Sequence, residues 1–278
     1  MTIGILGNGF VGNAIANGFS LFCDVRIYDK DPLRSINTLE DTVINSEYVF
    51  ICVPTPMKVG DRGKVDTSII EDVLQEVQKI KIGNRDRIYV IKSSVPPGSV
   101  EKFIEQYPDL NIVFNPEFLT ERSANLDFIN ATRIVIGGDK EHTDKLEEFY
   151  RKRFPYKKII TTDVTTAQFI KYMANCFFSV KISYMNEMLQ VSKELGVDWD
   201  VAKEGFLSDG RVGNSHHSVP GYDGELGFGG KCFPKDINAF INIAKELDVN
   251  PLVLQAAWEK NLEVRKTRDW EEIPGATS

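Results

Sequence analysis

Residues 2–12, TIGILGNGFVG, join a short apolar run to a glycine-rich turn. The apolar run predicts a buried first strand, and a helical pattern of apolar residues continues to about residue 21. Gly7, Gly9 and Gly12 have the spacing GxGxxG. In this spacing the first glycine allows a tight turn, the second lets a pyrophosphate approach the backbone, and the third lets helix and strand pack closely. Because a helix N-terminus also attracts phosphate, the stretch predicts a dinucleotide site on a Rossmann-type sheet.

A second predicted strand, residues 25–28, ends at Asp29. An acidic residue in this place can bind both ribose hydroxyls of a dinucleotide, which favours NAD over NADP. A turn or cap residue is the alternative interpretation of Asp29, and Arg34 follows where an arginine can accept a 2′-phosphate. The predicted cofactor contacts of this region are Gly7, Asn8, Gly9, Phe10, Val11, Gly12, Asp29 and Arg34.

The pattern of predicted elements changes once along the chain. Strands alternate with helices as far as residue 161, which predicts a doubly wound, mainly parallel sheet. A long helical run then extends from residue 164 to about 195. Shorter helices are predicted at 200–207, 237–247 and 251–264. We therefore predict an α/β fold with a Rossmann-type dinucleotide-binding domain at residues 1–162 and an all-α domain at residues 163–278.

The segment before residue 80 carries two further predictions. Residues 58–64 are polar and contain glycine, and we interpret them as a flap. Asp66 then precedes an apolar helical pattern that runs to about residue 80. We predict that the Asp66 side chain caps this helix.

The composition is that of a globular protein, with 42% hydrophobic and 26% charged residues among 278. The net charge of -7 argues against a nucleic-acid partner, and no apolar run is long enough to indicate a membrane span. The N-terminus is interpreted as a strand rather than a signal peptide. The four cysteines lack CxxC spacing, so we expect reduced thiols in the cytoplasm rather than disulfides or zinc. His216 and His217 have no clustered third ligand, so no metal site is predicted.

Hydroxyl and carboxyl side chains follow three predicted strands. Thr55 lies in a proline turn after the third strand, and Ser94 follows the fourth. Ligands of open α/β sheets bind at such carboxyl ends. Glu117 and Glu121 follow the fifth strand, and they share a face if this turn is helical. The alternative is a helix start at which acidic residues are favoured by the helix dipole.

The decapeptide GFGGKCFPKD, residues 227–236, combines glycines with a thiol, two cations and a carboxylate. The glycines permit φ > 0 and close approach to a ligand. Lys231 and Lys235 flank Cys232, and nearby cations stabilise the thiolate, which is the nucleophilic form. A buried structural cysteine is the alternative. The density of reactive groups, including Asp236, favours catalysis.

Two polar residues lie one turn apart on the long helical run. Lys171 and Asn175 are four positions apart and therefore neighbours on one face. Most surrounding residues are apolar, so the pair is either a solvated edge or part of a site.

These motifs jointly resemble those of the UDP-glucose/GDP-mannose dehydrogenase family, and the resemblance covers essentially the whole chain. It implies an NAD-dependent, two-step oxidation of the primary alcohol of a nucleotide sugar to the carboxylate. UDP-glucose going to UDP-glucuronate is the first expectation, with polysaccharide biosynthesis as the process served. The alternatives are a dehydrogenase for another nucleotide sugar or a smaller hydroxylated substrate, and a non-catalytic NAD-binding subunit of a full-length relative.

The resemblance implies a role for each catalytic residue. Cys232 captures an aldehyde as a thiohemiacetal, which then becomes a thioester. Glu117 is the implied general base for hydrolysis of the thioester. Lys171 and Asn175, a pair that points at the reacting carbon in the family, stabilise the oxyanions. Asp236 holds a water or proton near the reacting oxygen.

The resemblance also implies binding contacts. Ser94 keeps a hydroxyl where the family usually has threonine, which implies a water- or nicotinamide-positioning role. In the family a basic residue in the place of Arg34 accompanies the aspartate, and NAD is still used. Further cofactor contacts are implied at Thr55, Ser94, Glu121 and Lys235. Substrate contacts are implied at Glu117, Phe118, Leu119, Lys171, Asn175, Arg211, Gly227, Phe228 and Gly229.

The resemblance finally bears on assembly. The helical region is similar to the family's central dimerisation domain, so a homodimer is expected. Arg211 matches an arginine that reaches the partner subunit's substrate site. The family continues into a second nucleotide-binding domain where this chain ends, so we expect that domain to be lacking and the nucleotide half to bind weakly.

Overall fold

The computed structural model describes residues 1–58, 63–80, 86–273 and 276–278. The chain divides into a first unit of residues 1–55 and 67–171 and a second unit of residues 56–66 and 172–278. Residues 59–62 of the segment interpreted as a flap lie outside the described residues. The domain boundary at residues 162/163 stays a prediction.

Strands of the first unit form one sheet, and within the described residues they are β1 Thr2–Leu6, β2 Asp24–Tyr28, β3 Tyr48–Ile51, β4 Ile88–Ile91, β5 Asn111–Phe114, β6 Arg133–Gly137 and β7 Lys158–Thr162. Their order across the sheet is β2-β1-β3-β4-β5-β6-β7. Neighbours pair in parallel except β5 and β6, which meet antiparallel at Phe114 and Gly137. The chain order reverses at β1, so the carboxyl ends of β1 and β3 border the point at which open sheets bind ligands. The predicted α/β fold is confirmed.

Helices cover both faces of this sheet: α1 Phe10–Phe19, α2 Leu39–Ile44, α3 Ser68–Lys79, α4 Ser99–Gln106, α5 Ala124–Asn130 and α6 Lys140–Arg153. Successive strand residues point to opposite faces. Phe50 therefore packs into one apolar core, and its neighbours Val49 and Ile51 pack into the other. Burial on both faces is expected of parallel strands covered by helices.

The predicted cap of α3 was wrong. The N-cap residue is Thr67, and within the described residues its side chain makes no capping hydrogen bond. The Thr67 hydroxyl instead donates to Glu71 Oε1 at 2.7 Å. Asp66 lies one position too early in the chain to act as the N-cap residue.

Helix α7, Val164–Glu194, is the long helix predicted from the sequence. Asp163 caps its start, because the carboxylate accepts hydrogen bonds from Thr166 N at 2.8 Å and Thr166 Oγ1 at 2.7 Å. These bonds, the backbone one first, lower the pKa of Asp163. Gly196 ends the helix with a φ of 67°, a left-handed conformation that glycine adopts readily. In the described part of the chain, no helix combines the length and apolar character needed to cross a membrane.

The second unit continues with helices α8 Trp199–Leu207, α9 Cys232–Glu246 and α10 Leu252–Val264. Phe228, Ile237 and Ile241 belong to its apolar core. The predicted helical C-terminal region is confirmed. Helix α9 nevertheless begins at Cys232 and not at residue 237, because Pro234 fits a first helical turn, where its missing N–H costs no hydrogen bond.

Candidate active site

The turn after β1 shows the close approaches that the GxGxxG spacing requires. Gly7 has a φ of 96°, and a Cβ atom there would lie 2.8 Å from the carbonyl oxygen of Cys52. A Cβ atom on Gly12 would lie 2.0 Å from the carbonyl oxygen of Gly7. Helix α1 begins at Phe10 with Gly9 as its N-cap, and no side chain caps it. The first N–H groups of α1 are therefore left for an anionic group.

Asp29 lies at this turn. Its Oδ2 accepts a hydrogen bond from Asn8 N at 2.6 Å, and its Oδ1 accepts one from Asp31 N at 2.8 Å. Arg34 contacts the same loop, since its carbonyl accepts from Asn8 Nδ2 at 2.9 Å. Asn8 Oδ1 is buried and finds no hydrogen-bond partner among the residues that the structure describes, which is unusual unless a ligand donates to it. The orphaned oxygen and the uncapped helix fit a bound dinucleotide.

Polar residues after β3 and β4 meet at the carboxyl edge of the sheet. Thr55 Oγ1 donates to the carbonyl of Ser94 at 2.8 Å, and Ser93 Oγ donates to the carbonyl of Val53 at 2.7 Å. The structure thus brings together two residues that were predicted as cofactor contacts from separate turns.

Glu117 follows β5 and forms a buried ion pair with Lys171 on α7. Lys171 Nζ lies 2.9 Å from Glu117 Oε1 and donates to the Glu117 carbonyl at 2.7 Å. Glu117 Oε2 also accepts from Leu119 N at 2.6 Å. The two charged residues are only 6% and 2% exposed. A buried pair is tolerated when further hydrogen bonds satisfy it, so this carboxylate is held in one place.

The turn between Glu117 and Glu121 is not helical, so the condition under which the two carboxylates would share a helical face is not met. Residues 115–120 are not helical, and Thr120 has extended backbone angles. Glu121 is exposed at the start of a short 3-10 helix, Glu121–Ser123. Phe118 lies under the guanidinium of Arg133, with 3.9 Å from Cζ to the ring centroid. A cofactor contact from Glu121 stays a prediction.

Cys232 is half-buried at the start of helix α9, whose N-terminus favours negative charge on a sulfur. Lys235 and Asp236, near the start of the same helix, form a polar network with Asn175 on α7. Lys235 Nζ pairs with Asp236 Oδ1 at 2.6 Å, and Asn175 Nδ2 donates to Asp236 Oδ2 at 2.6 Å. Asp236 is 0% and Lys235 is 6% exposed. Asn175 and the adjacent residues Lys235 and Asp236, predicted from two distant parts of the sequence, thus form one buried network.

The glycine loop before Cys232 is held by asparagines that the sequence reasoning missed. Asn186 Oδ1 accepts from Gly227 N at 3.1 Å. Asn261 Oδ1 accepts from Phe228 N at 2.6 Å, and Asn261 Nδ2 donates back to the Phe228 carbonyl at 3.0 Å. No local pattern marks these asparagines, because their partners lie more than 30 positions away in the chain.

Arg265 was also missed, and it closes the same loop. Its Nη2 lies 2.8 Å from Asp223 Oδ2 and 3.1 Å from Asp269 Oδ1. Asp269 Oδ2 in turn accepts from Gly230 N at 2.9 Å. A Cβ atom on Gly229 would lie 2.3 Å from Arg265 Nη2 and 2.3 Å from Asp269 Oδ1, so a larger residue here would displace the Arg265–Asp269 ion pair.

Arg211 and the two histidines lie between α8 and α9. The Arg211 side chain is 90% exposed and pairs with Asp209, with 2.9 Å between Nε and Oδ1. The His216 ring stacks on Phe178 with centroids 3.9 Å apart. Among the residues that the structure describes, no three His, Cys, Asp or Glu side chains are grouped to hold a metal ion. The role of Arg211 in a partner's site stays a prediction.

A further missed set, Lys92, Asn115 and Tyr150, is bonded to the segment that carries Glu117. Lys92 and Asn115 directly follow β4 and β5, a position from which the sequence could have indicated them. Tyr150 gives no such signal, because an aromatic residue on an amphipathic helix usually belongs to the core.

Two sequence profiles of one family match this chain. Residues 24–154 match the NAD binding domain of the UDP-glucose/GDP-mannose dehydrogenase family, and residues 165–263 match its central domain. The first match identifies NAD as the cofactor of this region, in agreement with the prediction from Asp29.

Curated relatives are similar to this chain over most of its length. The UDP-glucose 6-dehydrogenase of Rickettsia bellii is 34% identical over 241 residues, which are 84% of this chain and 54% of that protein. A UDP-glucose 6-dehydrogenase of Bacillus subtilis is 33% identical over 219 residues, which are 75% of this chain and 47% of that protein. The chain spans about half the length of the curated relatives it matches.

A solved structure shares the fold. The UDP-glucose dehydrogenase of the hyperthermophilic archaeon Pyrobaculum islandicum superposes with a TM-score of 0.79 at 28% identity, covering 94% of this chain and 68% of that chain. Both matching profiles describe one family and together span most of the sequence. This chain therefore belongs to the UDP-glucose/GDP-mannose dehydrogenase family.

Proposed function

We propose that this protein oxidises the primary alcohol of a nucleotide sugar to a carboxylate in two NAD-dependent steps. The observation that carries the proposal is Cys232 at the start of α9, with the buried Asn175–Asp236–Lys235 network in the same unit. A structural cysteine needs no such network of charges. The glycine turn and Asp29 would hold the dinucleotide, with Thr55, Ser94, Glu121 and Lys235 as further proposed contacts. Bound NAD supplies the hydride acceptor for both oxidations.

The covalent steps fall to Cys232. Its sulfur adds to the carbonyl carbon of the aldehyde formed first, and the carbonyl oxygen gains a proton, which gives a thiohemiacetal. Loss of a hydride and a proton from that intermediate leaves a thioester. Water then adds to the acyl carbon, the carbon–sulfur bond breaks, and Cys232 regains its proton as the carboxylate leaves.

Charged and polar residues are proposed to move protons and to stabilise negative charge during these steps. Glu117 is proposed as the base that takes a proton from the hydrolytic water, supported by the bonds that hold its carboxylate. Lys171 and Asn175, one turn apart on α7, are proposed to stabilise the negative oxygens that form on the reacting carbon. Asp236, held between Asn175 and Lys235, is proposed to position a water or proton.

UDP-glucose is the substrate that we propose first, because the matched relatives are named for it. Contacts from Phe118, Leu119 and the glycine loop at residues 227–229 are proposed for the sugar nucleotide, with UDP-glucuronate serving polysaccharide biosynthesis. We propose the cytoplasm as the compartment, because the four cysteines are widely spaced and lack CxxC spacing. Another nucleotide sugar is the second candidate, supported by a family profile that also includes GDP-mannose dehydrogenases.

The test is a cofactor-reduction assay with UDP-glucose and a panel of other nucleotide sugars. We expect two NADH for each UDP-glucose consumed and the carboxylate as the product. One NADH per sugar would contradict the two-step proposal. Faster turnover of GDP-mannose than of UDP-glucose would favour the second candidate.

NAD is expected to bind at least about tenfold more tightly than NADP, because the Asp29 carboxylate repels a 2′-phosphate. Fluorescence titration of both cofactors measures the ratio. Asp29→Asn keeps one side-chain oxygen that can accept a hydrogen bond from the loop, but it removes the negative charge. The ratio of the affinities for NAD and NADP should therefore move toward one. Tighter binding of NADP by the wild type would show that Asp29 has been misassigned.

A homodimer built on α7 is expected in solution. Met173, Phe177, Tyr184 and Val191 repeat at helical spacing and are each 45% to 59% exposed, which is costly unless another apolar surface covers them. Phe177→Glu should therefore convert a dimer to a monomer in light scattering, whereas the exposed change Glu204→Gln on α8 should not. A wild-type monomer at micromolar concentration would refute the expected assembly.

A further inference from the structure

The side-chain oxygen of Asn115 is the centre of a buried polar network in the first unit. It accepts hydrogen bonds from Lys92 Nζ at 3.0 Å and from Tyr150 Oη at 2.6 Å. The Asn115 amide nitrogen donates to the carbonyl of Val135 on β6 at 2.5 Å. Asn115 is 1% and Lys92 4% exposed, so no solvent competes for these bonds. The Asn115 side chain is therefore fixed from three sides.

Lys92 connects this network to the segment that carries Glu117. Its Nζ donates to the Pro116 carbonyl at 3.4 Å in addition to Asn115 Oδ1. Glu117 is the next residue along the chain, and its carboxylate bonds to Lys171 and to the amide of Leu119. The backbone before Glu117 and the carboxylate itself are thus each tied to a buried lysine.

At neutral pH, Lys92 is the positively charged member of this network, and the thiol and phenol that face it are neutral. Burial lowers the pKa of Lys92 to about 8, with Cys52 and Glu117 opposing the shift and Lys171 adding to it. Burial raises the pKa of Cys52 to about 12 and also raises the pKa of Tyr150. The thiol and the phenol therefore stay neutral beside a protonated amine.

We propose that Lys92, Asn115 and Tyr150 are positioning residues that set the Glu117 carboxylate for hydrolysis of the thioester. The proposal rests on the proposed function, since it gives Glu117 the task of activating water. The three residues act through Glu117, because their hydrogen bonds hold the segment that directly precedes it. Lys92 and Tyr150 donate to the Asn115 side chain, and Lys92 also donates to the Pro116 carbonyl. The Asn115 side chain in turn donates to Val135 on β6. Loosening them should therefore slow hydrolysis and leave cofactor binding unchanged.

The sharpest variant is Tyr150→Phe, which removes one hydroxyl and keeps the ring beside Phe19 in the aromatic core. We expect kcat to fall about three- to tenfold, the cost of one hydrogen bond, with an unchanged KM for NAD. Acyl adduct should accumulate on Cys232 because only its release is slowed. Tyr48→Phe is the matched control, since Tyr48 stacks in the same core but its hydroxyl donates to Lys145 O, at 3.1 Å.

A double-mutant cycle separates positioning from general loosening of the core. In a Glu117→Gln background, Tyr150→Phe should have no further effect on turnover, because the group through which it acts is gone. If Tyr150→Phe lowers turnover by the same factor in both backgrounds, the proposal is overturned. Lys92→Met should behave like Tyr150→Phe, with a larger loss in the wild-type background.

Amide hydrogen exchange gives a readout that does not depend on turnover. The Leu119 N–H donates to Glu117 Oε2, so its exchange rate reports whether the carboxylate is in place. Tyr150→Phe should speed exchange at Leu119, and Tyr48→Phe should leave it unchanged. Equal protection of Leu119 in all three proteins would refute the positioning role. If no NADH forms from UDP-glucose, the proposed function is contradicted. The exchange rate at Leu119 still tests the positioning role, because it does not depend on turnover.

Discussion

Cys232→Ser is expected to abolish carboxylate formation, with a loss of more than about 10³-fold in turnover to the acid. A serine hydroxyl stays protonated at neutral pH where a thiol at a helix N-terminus can ionise, so it is a poor nucleophile toward the aldehyde. The helix itself should persist, since serine is a good residue at a helix start. Product analysis by mass spectrometry of the sugar nucleotide measures the outcome.

The control for this variant is Cys23→Ser, which alters a half-buried thiol in the first unit. Burial raises the pKa of Cys23 to about 11, so this thiol is protonated and unreactive at neutral pH. We expect near wild-type turnover from Cys23→Ser. Full turnover by Cys232→Ser, or loss of turnover in Cys23→Ser alone, would show that Cys232 is not the nucleophile.

Asp236→Asn is expected to lower both stability and turnover. The change removes the charge that faces the buried ammonium of Lys235, and an uncompensated buried charge costs about 3–5 kcal/mol of unfolding free energy. Turnover should fall by about 10²–10⁴, because the proton or water that Asp236 is proposed to hold loses its acceptor. Urea unfolding and the NADH assay measure the two effects.

The matched control is Asp200→Asn, whose carboxylate pairs with Lys203 at 2.9 Å on the surface of α8. An exposed pair of this kind contributes about 0–1 kcal/mol, so stability and turnover should be almost unchanged. Equal destabilisation by the two variants would mean that the Asn175–Asp236–Lys235 network has no special energetic role.

The sheet and its cofactor turn could be predicted because their signals are local. An apolar run, a GxGxxG spacing and an acidic residue after the next strand each lie within a few positions of one another. The alternation of strands with helices then determined the class of fold. The start of α9 was predicted five residues too late, at residue 237, although the first turn of a helix accepts a proline such as Pro234.

The support around the candidate site could be predicted only in part. Asn175 and Asp236 were candidates from local patterns, and their catalytic roles came from the resemblance to the family; the structure joins them at 2.6 Å. Asn261 and Arg265 fix the glycine loop across 33 or more positions of sequence, and no spacing rule reaches that far. Lys92 could have been noticed, because a lysine directly after the apolar strand β4 must find partners when it is buried.

The most direct test of covalent catalysis is peptide mass mapping of the Glu117→Gln variant after mixing with UDP-glucose and NAD. In this variant hydrolysis should be slow, so we expect an acyl adduct on the peptide that contains Cys232, rising toward one per chain as NADH appears. An unmodified Cys232 in a sample that has formed two NADH per chain, or an adduct on another cysteine, would contradict it.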